Sequence, residues 1–163
     1  MIILGIDPGY ATVGYGVIET DGMRFRTVDY GAVTTRANTP FDIRLEMIYD
    51  GICELCGRYK PDAASVEELF FNTNITTGIA VGHSRGVILL ALRKSGVDFY
   101  EYTPLQVKQS VVGYGRAEKK QVMIMTKTLL GLERMPRPDD AADALALAVC
   151  HAHSAKSQLL GLM

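Results

Sequence analysis

Four carboxylates stand where apolar segments stop or a helix begins, not on a solvated face. Asp7 closes the run Ile2-Ile3-Leu4-Gly5-Ile6, and Glu67 closes Ala63-Ala64-Ser65-Val66. Asp140 and Asp143 lie in the helical segment Asp139-Asp140-Ala141-Ala142-Asp143-Ala144-Leu145. A buried cluster of like charges is unfavourable without a cation to neutralise it, so the arrangement points to a divalent metal site. The commonest chemistry for such a site is phosphodiester hydrolysis with Mg²⁺.

A chain of 163 residues fits one domain with a sizeable core, expected over residues 1–155, with 156–163 as a short frayed tail. No apolar run reaches transmembrane length, and the N-terminus lacks a signal-peptide pattern, so no membrane association and a cytoplasmic location are expected. Cys53, Cys56 and Cys150 argue against a disulfide framework. With His151 and His153 they could suggest zinc, but Cys53 and Cys56 fall on the apolar stripe Ile43, Leu45, Ile48, Ile52, Leu55 and read as small hydrophobes.

The net charge of −1 conceals an asymmetry. Between Arg85 and Arg137 ten basic residues face four acids, a local excess of six positive charges. A basic region beside an acidic metal site suits a nucleic-acid enzyme, because phosphates need cations while the metal needs carboxylates. Charge alone favours the plainer reading of solvated helix faces.

The pattern reads as α/β. Residues 2–7, 14–19 and 24–35 are three strands, the second and third joined as a hairpin at Asp21-Gly22. A helix over 41–59 is bounded by Pro40 and Pro61. A buried strand at 63–67, a helix over 76–94 and a strand at 98–102 follow, then helices near 104–112, 118–130 and 139–154. This order predicts a mixed five-stranded sheet flanked by helices, the first strand central and parallel to the fourth. Asp7 and Glu67 then end adjacent strands roughly 5 Å apart, at the edge where open α/β sheets bind ligands. Asp140 and Asp143, three apart, share a helix face. Asp139 is the better helix cap.

Five blocks carry a resemblance. Gly5-Ile-Asp-Pro-Gly9 with Gly14-Tyr-Gly-Val-Ile18, Val66-Glu67-Glu68-Leu69-Phe70, Gln106-Val-Lys-Gln-Ser-Val-Val-Gly113, Ala117-Glu-Lys119 and Asp140-Ala-Ala-Asp-Ala-Leu-Ala146 occur in order over nearly the whole chain. Together they resemble the RuvC family of Holliday-junction resolvases. The resemblance implies a ribonuclease H-like fold and an endodeoxyribonuclease that nicks four-way junctions in symmetrical pairs during recombination and repair. It implies that Asp7, Glu67, Asp140 and Asp143 hold the metal. Glu67 is chosen over Glu68 because the family's acid directly follows the apolar strand residue. It implies that Lys108 and Lys119 contact the phosphate or its transition state, and that Phe70 stacks on junction bases. Arg85 and His83, in His83-Ser-Arg-Gly86, could also touch DNA, although all three histidines read first as structural. The Tyr10-Ala11-Thr12 stretch matches no fixed family position, so no role is carried to it.

Two Mg²⁺ ions roughly 4 Å apart are expected, bridged by Asp7, with Mn²⁺ as a substitute. One would activate a water and the other stabilise the departing 3′ oxygen, leaving a 5′-phosphate. Nothing in the serine, cysteine and histidine positions supports a covalent route. The junction's two-fold symmetry implies a homodimer, with the helix from Thr76 to Lys94 as the interface, and the family works with a branch-migration motor. Rival readings are a nuclease of the same fold acting on RNA or other branched DNA, and an actin-like ATPase, for which 163 residues leave no second domain. A non-catalytic junction binder is a third, disfavoured by the four acids.

Overall fold

The structure is a computed structural model that describes residues 1–68 and 75–159, with side chains over 1–68 and 78–155. Phe70 lies outside the described residues. The strands are β1 (Ile2–Asp7), β2 (Thr12–Thr20), β3 (Phe25–Thr34), β4 (Ala63–Glu67) and β5 (Phe99–Tyr102). The helices are α1 (Phe41–Tyr59), α2 (Ile75–Lys94), α3 (Pro104–Val112), α4 (Lys119–Leu129) and α5 (Asp139–Leu159).

The strands form one sheet in the order β3-β2-β1-β4-β5. β1 is antiparallel to β2 and parallel to β4, so the expected central position of the first strand is what the structure has. Local chemistry explains the joints. The Asp21 carboxylate accepts from the N–H groups of Met23 and Arg24, each at 2.8 Å, and Gly22 takes a positive φ of 89° to close the β2–β3 hairpin. α1 stops at Lys60, which is left-handed and donates its N–H to the Cys56 carbonyl before Pro61. α3 opens with a capping box, Thr103 and Gln106 bonding each other's backbone N–H, and Pro104 stands in the first turn.

Alternation along β1 divides the core. Leu4 and Ile6 face α1 and α2, with Ile48, Ile52, Ile88 and Leu92. Ile3 faces α3, α4 and α5, with Leu145, Val149, Val107 and Val122. The sheet therefore separates Cys150 from Cys53 and Cys56, and all three are free thiols. His151 is buried, its Nδ1 2.8 Å from the Tyr102 hydroxyl, and burial holds its pKa below the usual imidazole value. No helix among the described residues is long and apolar enough to cross a membrane.

Two expectations need correction. β2 begins at Thr12 rather than residue 14, because Thr12 and Val13 pair with Thr34 and Val33. Asp139 is the first residue of α5 and not a cap ahead of it; its carboxylate accepts from Arg137 at 2.5 Å. The last helix also runs on to Leu159.

Candidate metal and phosphate site

The β1–β4 register sets Ile6 opposite Val66, so the next residues, Asp7 and Glu67, emerge side by side where both strands end. On its other flank Asp7 pairs with Gly14 of β2. A Cβ on Gly14 would stand 2.1 Å from the Asp140 carbonyl oxygen and 2.8 Å from the Asp140 Cβ. Glycine here is what lets the start of α5 sit on the sheet beside Asp7. Gly5 and Gly16 continue this floor: Cβ atoms there would meet the Ala144 carbonyl at 1.9 Å and the Leu145 side chain at 2.7 Å. Ser65 pins the middle of the helix by donating to the Leu147 carbonyl at 2.7 Å.

The acids meet at an open pocket of about 300 Å³. Asp7, Glu67 and Asp143 line it with Lys108 and Lys119, over an apolar floor that includes Val107, Val122 and Leu147. Asp140 is not a lining residue, yet its charge acts on Asp7. Lys119, the first residue of α4, donates to the Asp143 carboxylate at 2.6 Å.

The electrostatics are those of carboxylates short of positive charge. Burial, then repulsion from Glu67, Asp143 and Asp140, pushes the Asp7 pKa up to about 8, and Lys119 offsets only part of this. Burial and then Asp143 raise Glu67 in the same direction. The hydrogen bond to Asp143 in turn holds Lys119 above the usual lysine value. All acidic donors are carboxylate oxygens, with no histidine or cysteine among the pocket residues, and this set fits a hard divalent cation. Among the described residues no three such groups converge closely enough to enclose an ion as they stand. Asp7 and Glu67 stand within hydrogen-bonding reach of each other, while Lys119 draws Asp143 towards itself.

Arg85, offered by the sequence as a DNA contact, has a side chain only 18% exposed. Its guanidinium forms an ion pair with Glu101 on β5, and its Nε donates to the Glu67 carbonyl at 3.3 Å. It is thus engaged inside the protein, behind Glu67. Ser84 donates to the Gly9 carbonyl at 2.5 Å and steadies the turn after Asp7. Neither contact follows from local pattern, since each joins α2 to a strand end far away in sequence. The glycine floor had a legible signal, two glycines at a spacing of two inside a strand, which marks close backbone approach.

A family model described as "Crossover junction endodeoxyribonuclease RuvC" matches residues 3–151. The chain is 58% identical over 154 residues to the crossover junction endodeoxyribonuclease RuvC of Ruminiclostridium cellulolyticum, covering 94% of this chain and 93% of that protein. It is 58% identical over 160 residues to the one from Alkaliphilus metalliredigens, covering 98% of each. Among solved structures, T. thermophilus RuvC in complex with Holliday junction substrate superposes with a TM-score of 0.92 at 38% identity, over 97% of this chain and 96% of that one.

Proposed function

Because the chain belongs to the RuvC family of crossover junction endodeoxyribonucleases, which are divalent-metal nucleases, we propose how its own residues carry out that activity. The protein is a Holliday-junction resolvase that hydrolyses DNA phosphodiesters. Asp7, Glu67, Asp140 and Asp143 would hold the metal, two Mg²⁺ ions per site. When bound, such ions supply the Lewis acidity that makes a water nucleophilic and stabilises the departing oxygen.

The remaining steps belong to the chain. The glycine floor and the Ser65 hydrogen bond fix Asp140 and Asp143 relative to the strand pair. Lys119, which donates to Asp143 at 2.6 Å, stands in the pocket where it would neutralise charge on the scissile phosphate. Lys108 contacts the same phosphate from α3. Arg85 acts as a positioning residue for Glu67 and not as a DNA contact. Phe70 keeps its base-stacking role by resemblance.

Paired cuts call for two sites, so the working form is a homodimer. An open apolar groove on α2, lined by Ile79, Gly82, His83, Gly86, Val87 and Leu90, is the face for the second copy. Ile79 and Leu90 are about half exposed there, at 56% and 52%. The resolvase works in the cytoplasm beside a branch-migration motor.

The observation that carries the site assignment is the parallel register that sets Asp7 beside Glu67 under α5. The test is cleavage of a synthetic mobile four-way junction with Mg²⁺. Wild type should make symmetrical nicks. Asp7→Asn should bind but lose about 10³-fold or more in rate, a barrier rise of about 4 kcal/mol. Undiminished cutting by the variant would refute the metal assignment, and equal activity on linear duplex would leave a nuclease but remove the resolvase.

A further inference from the structure

The edge of the sheet that bears Asp7 and Glu67 carries a second cationic feature on the α1 and α2 side, unused by the mechanism above. Arg44, in the first turns of α1, is only 6% exposed. Its guanidinium carbon lies 3.6 Å from the centroid of the Tyr10 ring, and its Nε donates to the Thr35 hydroxyl at 2.7 Å. Thr35 is itself buried; its hydroxyl donates to the Tyr10 carbonyl at 2.9 Å, and its N–H to the Ala11 carbonyl at 2.9 Å. Tyr10 follows β1 and Thr35 follows β3, so the whole group stands at the edge where Asp7 ends its strand.

Arg44 is left undercompensated. No ion pair among the described residues includes it. One neutral hydroxyl takes one of its five N–H donors, and a ring face offsets part of its charge. Its terminal amino groups have no hydrogen-bond acceptor among the described residues, and they are not among the fully buried side-chain atoms without a partner, so they reach solvent. Holding Thr35 requires a single N–H, which a neutral side chain could supply. A nearly buried guanidinium is costly unless an anion completes it.

The start of α1 points the same way. Pro40 is its cap residue and makes no side-chain capping bond; the first backbone bond is Arg44 N–H to the Pro40 carbonyl at 3.0 Å. The N–H groups of the first turn therefore stay open at the positive end of a 19-residue helix. The Arg44 guanidinium lies over the Tyr10 ring, and that ring stands 5.3 Å from the ring of Phe41, the first residue of α1. Asp42 shares the turn, but two residues apart the side chains point to different sides. Around the group lie Tyr10, Phe41 and His83, with ring centroids 5.3 and 5.4 Å apart in sequence of contact, and Phe41 is 41% exposed.

We propose that Arg44 and the open N-terminus of α1 form a seat for a DNA backbone phosphate, distinct from the scissile one, with the Tyr10 and Phe41 rings flanking the adjoining sugar and base. Lys108 and Lys119 grip DNA from the α3 and α4 side of the sheet, and this seat grips it from the opposite side. Guanidinium matches a phosphate with two parallel hydrogen bonds, which lysine cannot reproduce. The inference rests on the junction-resolvase reading.

The test is binding of a labelled four-way junction in EDTA, where cutting is absent, over a range of salt. Arg44→Gln should weaken binding about tenfold and lower the slope of log K against log salt by about 0.9, the loss of one phosphate contact. Lys94→Gln, at the far end of α2, should leave the slope as in wild type. If Arg44→Gln does not fold, a methylphosphonate scan of the junction decides with Arg44→Lys. Wild type should show a penalty at one non-scissile phosphate, and the lysine variant should lose most of it. A folded Arg44→Gln with wild-type affinity and slope overturns the seat, as does an unchanged penalty in Arg44→Lys. An equal slope change in Lys94→Gln, or weakened binding that tracks dissociation of the dimer by light scattering, overturns it as well. Wild type that binds no four-way junction removes the resolvase reading itself.

Discussion

The two faces of the sheet are packed by different means. Towards α1 and α2, Leu4, Ile6, Val13 and Val17 interdigitate with Ile48, Ile52, Ile88 and Leu92, so side chains set the spacing. Towards α5, Gly5 and Gly14 let helix backbone rest almost on strand backbone, and Gly16 makes room for the Leu145 side chain. Interdigitated side chains can adjust rotamers when volume changes, whereas backbone against backbone has nothing to adjust. The acids whose placement matters most to hydrolysis, Asp140 and Asp143, ride on the face with no slack. That is the face on which a misplacement of about 1 Å translates into a large loss of rate.

The comparison is most exposed at Gly14. Gly14→Val should cost more than the ~1–3 kcal/mol of ordinary overpacking, because its new Cβ meets the Asp140 backbone and no flexible side-chain end. Where it folds, the displaced start of α5 should lower junction cleavage by about 10²-fold. Thermal unfolding in EDTA and single-turnover cleavage check both parts; a stable variant cutting as wild type does would end the claim that close approach fixes the acids.

Asp7 sharpens the comparison at the edge where the faces meet. Its folded pKa, raised from 3.8 to about 8, means that the fold favours the protonated carboxyl. That contribution is complete below the unfolded value and is lost as pH rises through about 8. Relative to Asp7→Asn, the metal-free wild type should therefore lose stability from pH 4 to 8, by at most about 1.4 kcal/mol per unit, and level off above. Parallel melting-temperature curves for the two proteins in EDTA would contradict the burial and repulsion assigned to Asp7.

Ile48 probes the other face. Ile48→Val should cost ~0.5–1.5 kcal/mol and leave cleavage at the wild-type rate, since the side chain packs between α1 and the sheet away from the acids. A cleavage defect larger than the stability loss explains would mean that both faces hold the site with equal strictness.

What the sequence made legible follows the same divide between local and distant causes. The bounds of α1 and β4 are as expected because Pro40, Lys60 and Pro61 act on their own neighbours. The parallel pairing of β1 with β4 follows from a helix between two apolar strands, and it sets Asp7 beside Glu67. The commitments of Arg85 to Glu101 and of Arg44 to Tyr10 and Thr35 were hidden, because surface-rich patterns do not say which charge turns inward. Asp139 was read as a cap from its type; Arg137, two residues earlier, supplied a stronger partner. Gly14-Tyr-Gly16 marked a close backbone approach, but the helix that makes it lies about 130 residues further along the chain, beyond what a local pattern names.

The smallest effect is the one that isolates the cause. Gly57 lies exposed in the last turn of α1, its backbone is ordinary helix, and a Cβ there would meet nothing within 4 Å. Gly57→Ala removes freedom from the unfolded chain and adds a better helix former without a clash. It should stabilise the protein by about 0.5–1 kcal/mol and leave cleavage unchanged. Gly14→Ala makes the same chemical change on the α5 face and should destabilise, because its methyl falls 2.1 Å from the Asp140 oxygen. Opposite signs from one substitution would locate the requirement in what stands above the glycine. If both variants are stabilised, α5 has room to rise, and Asp140 and Asp143 are not held by the closeness of helix to strand.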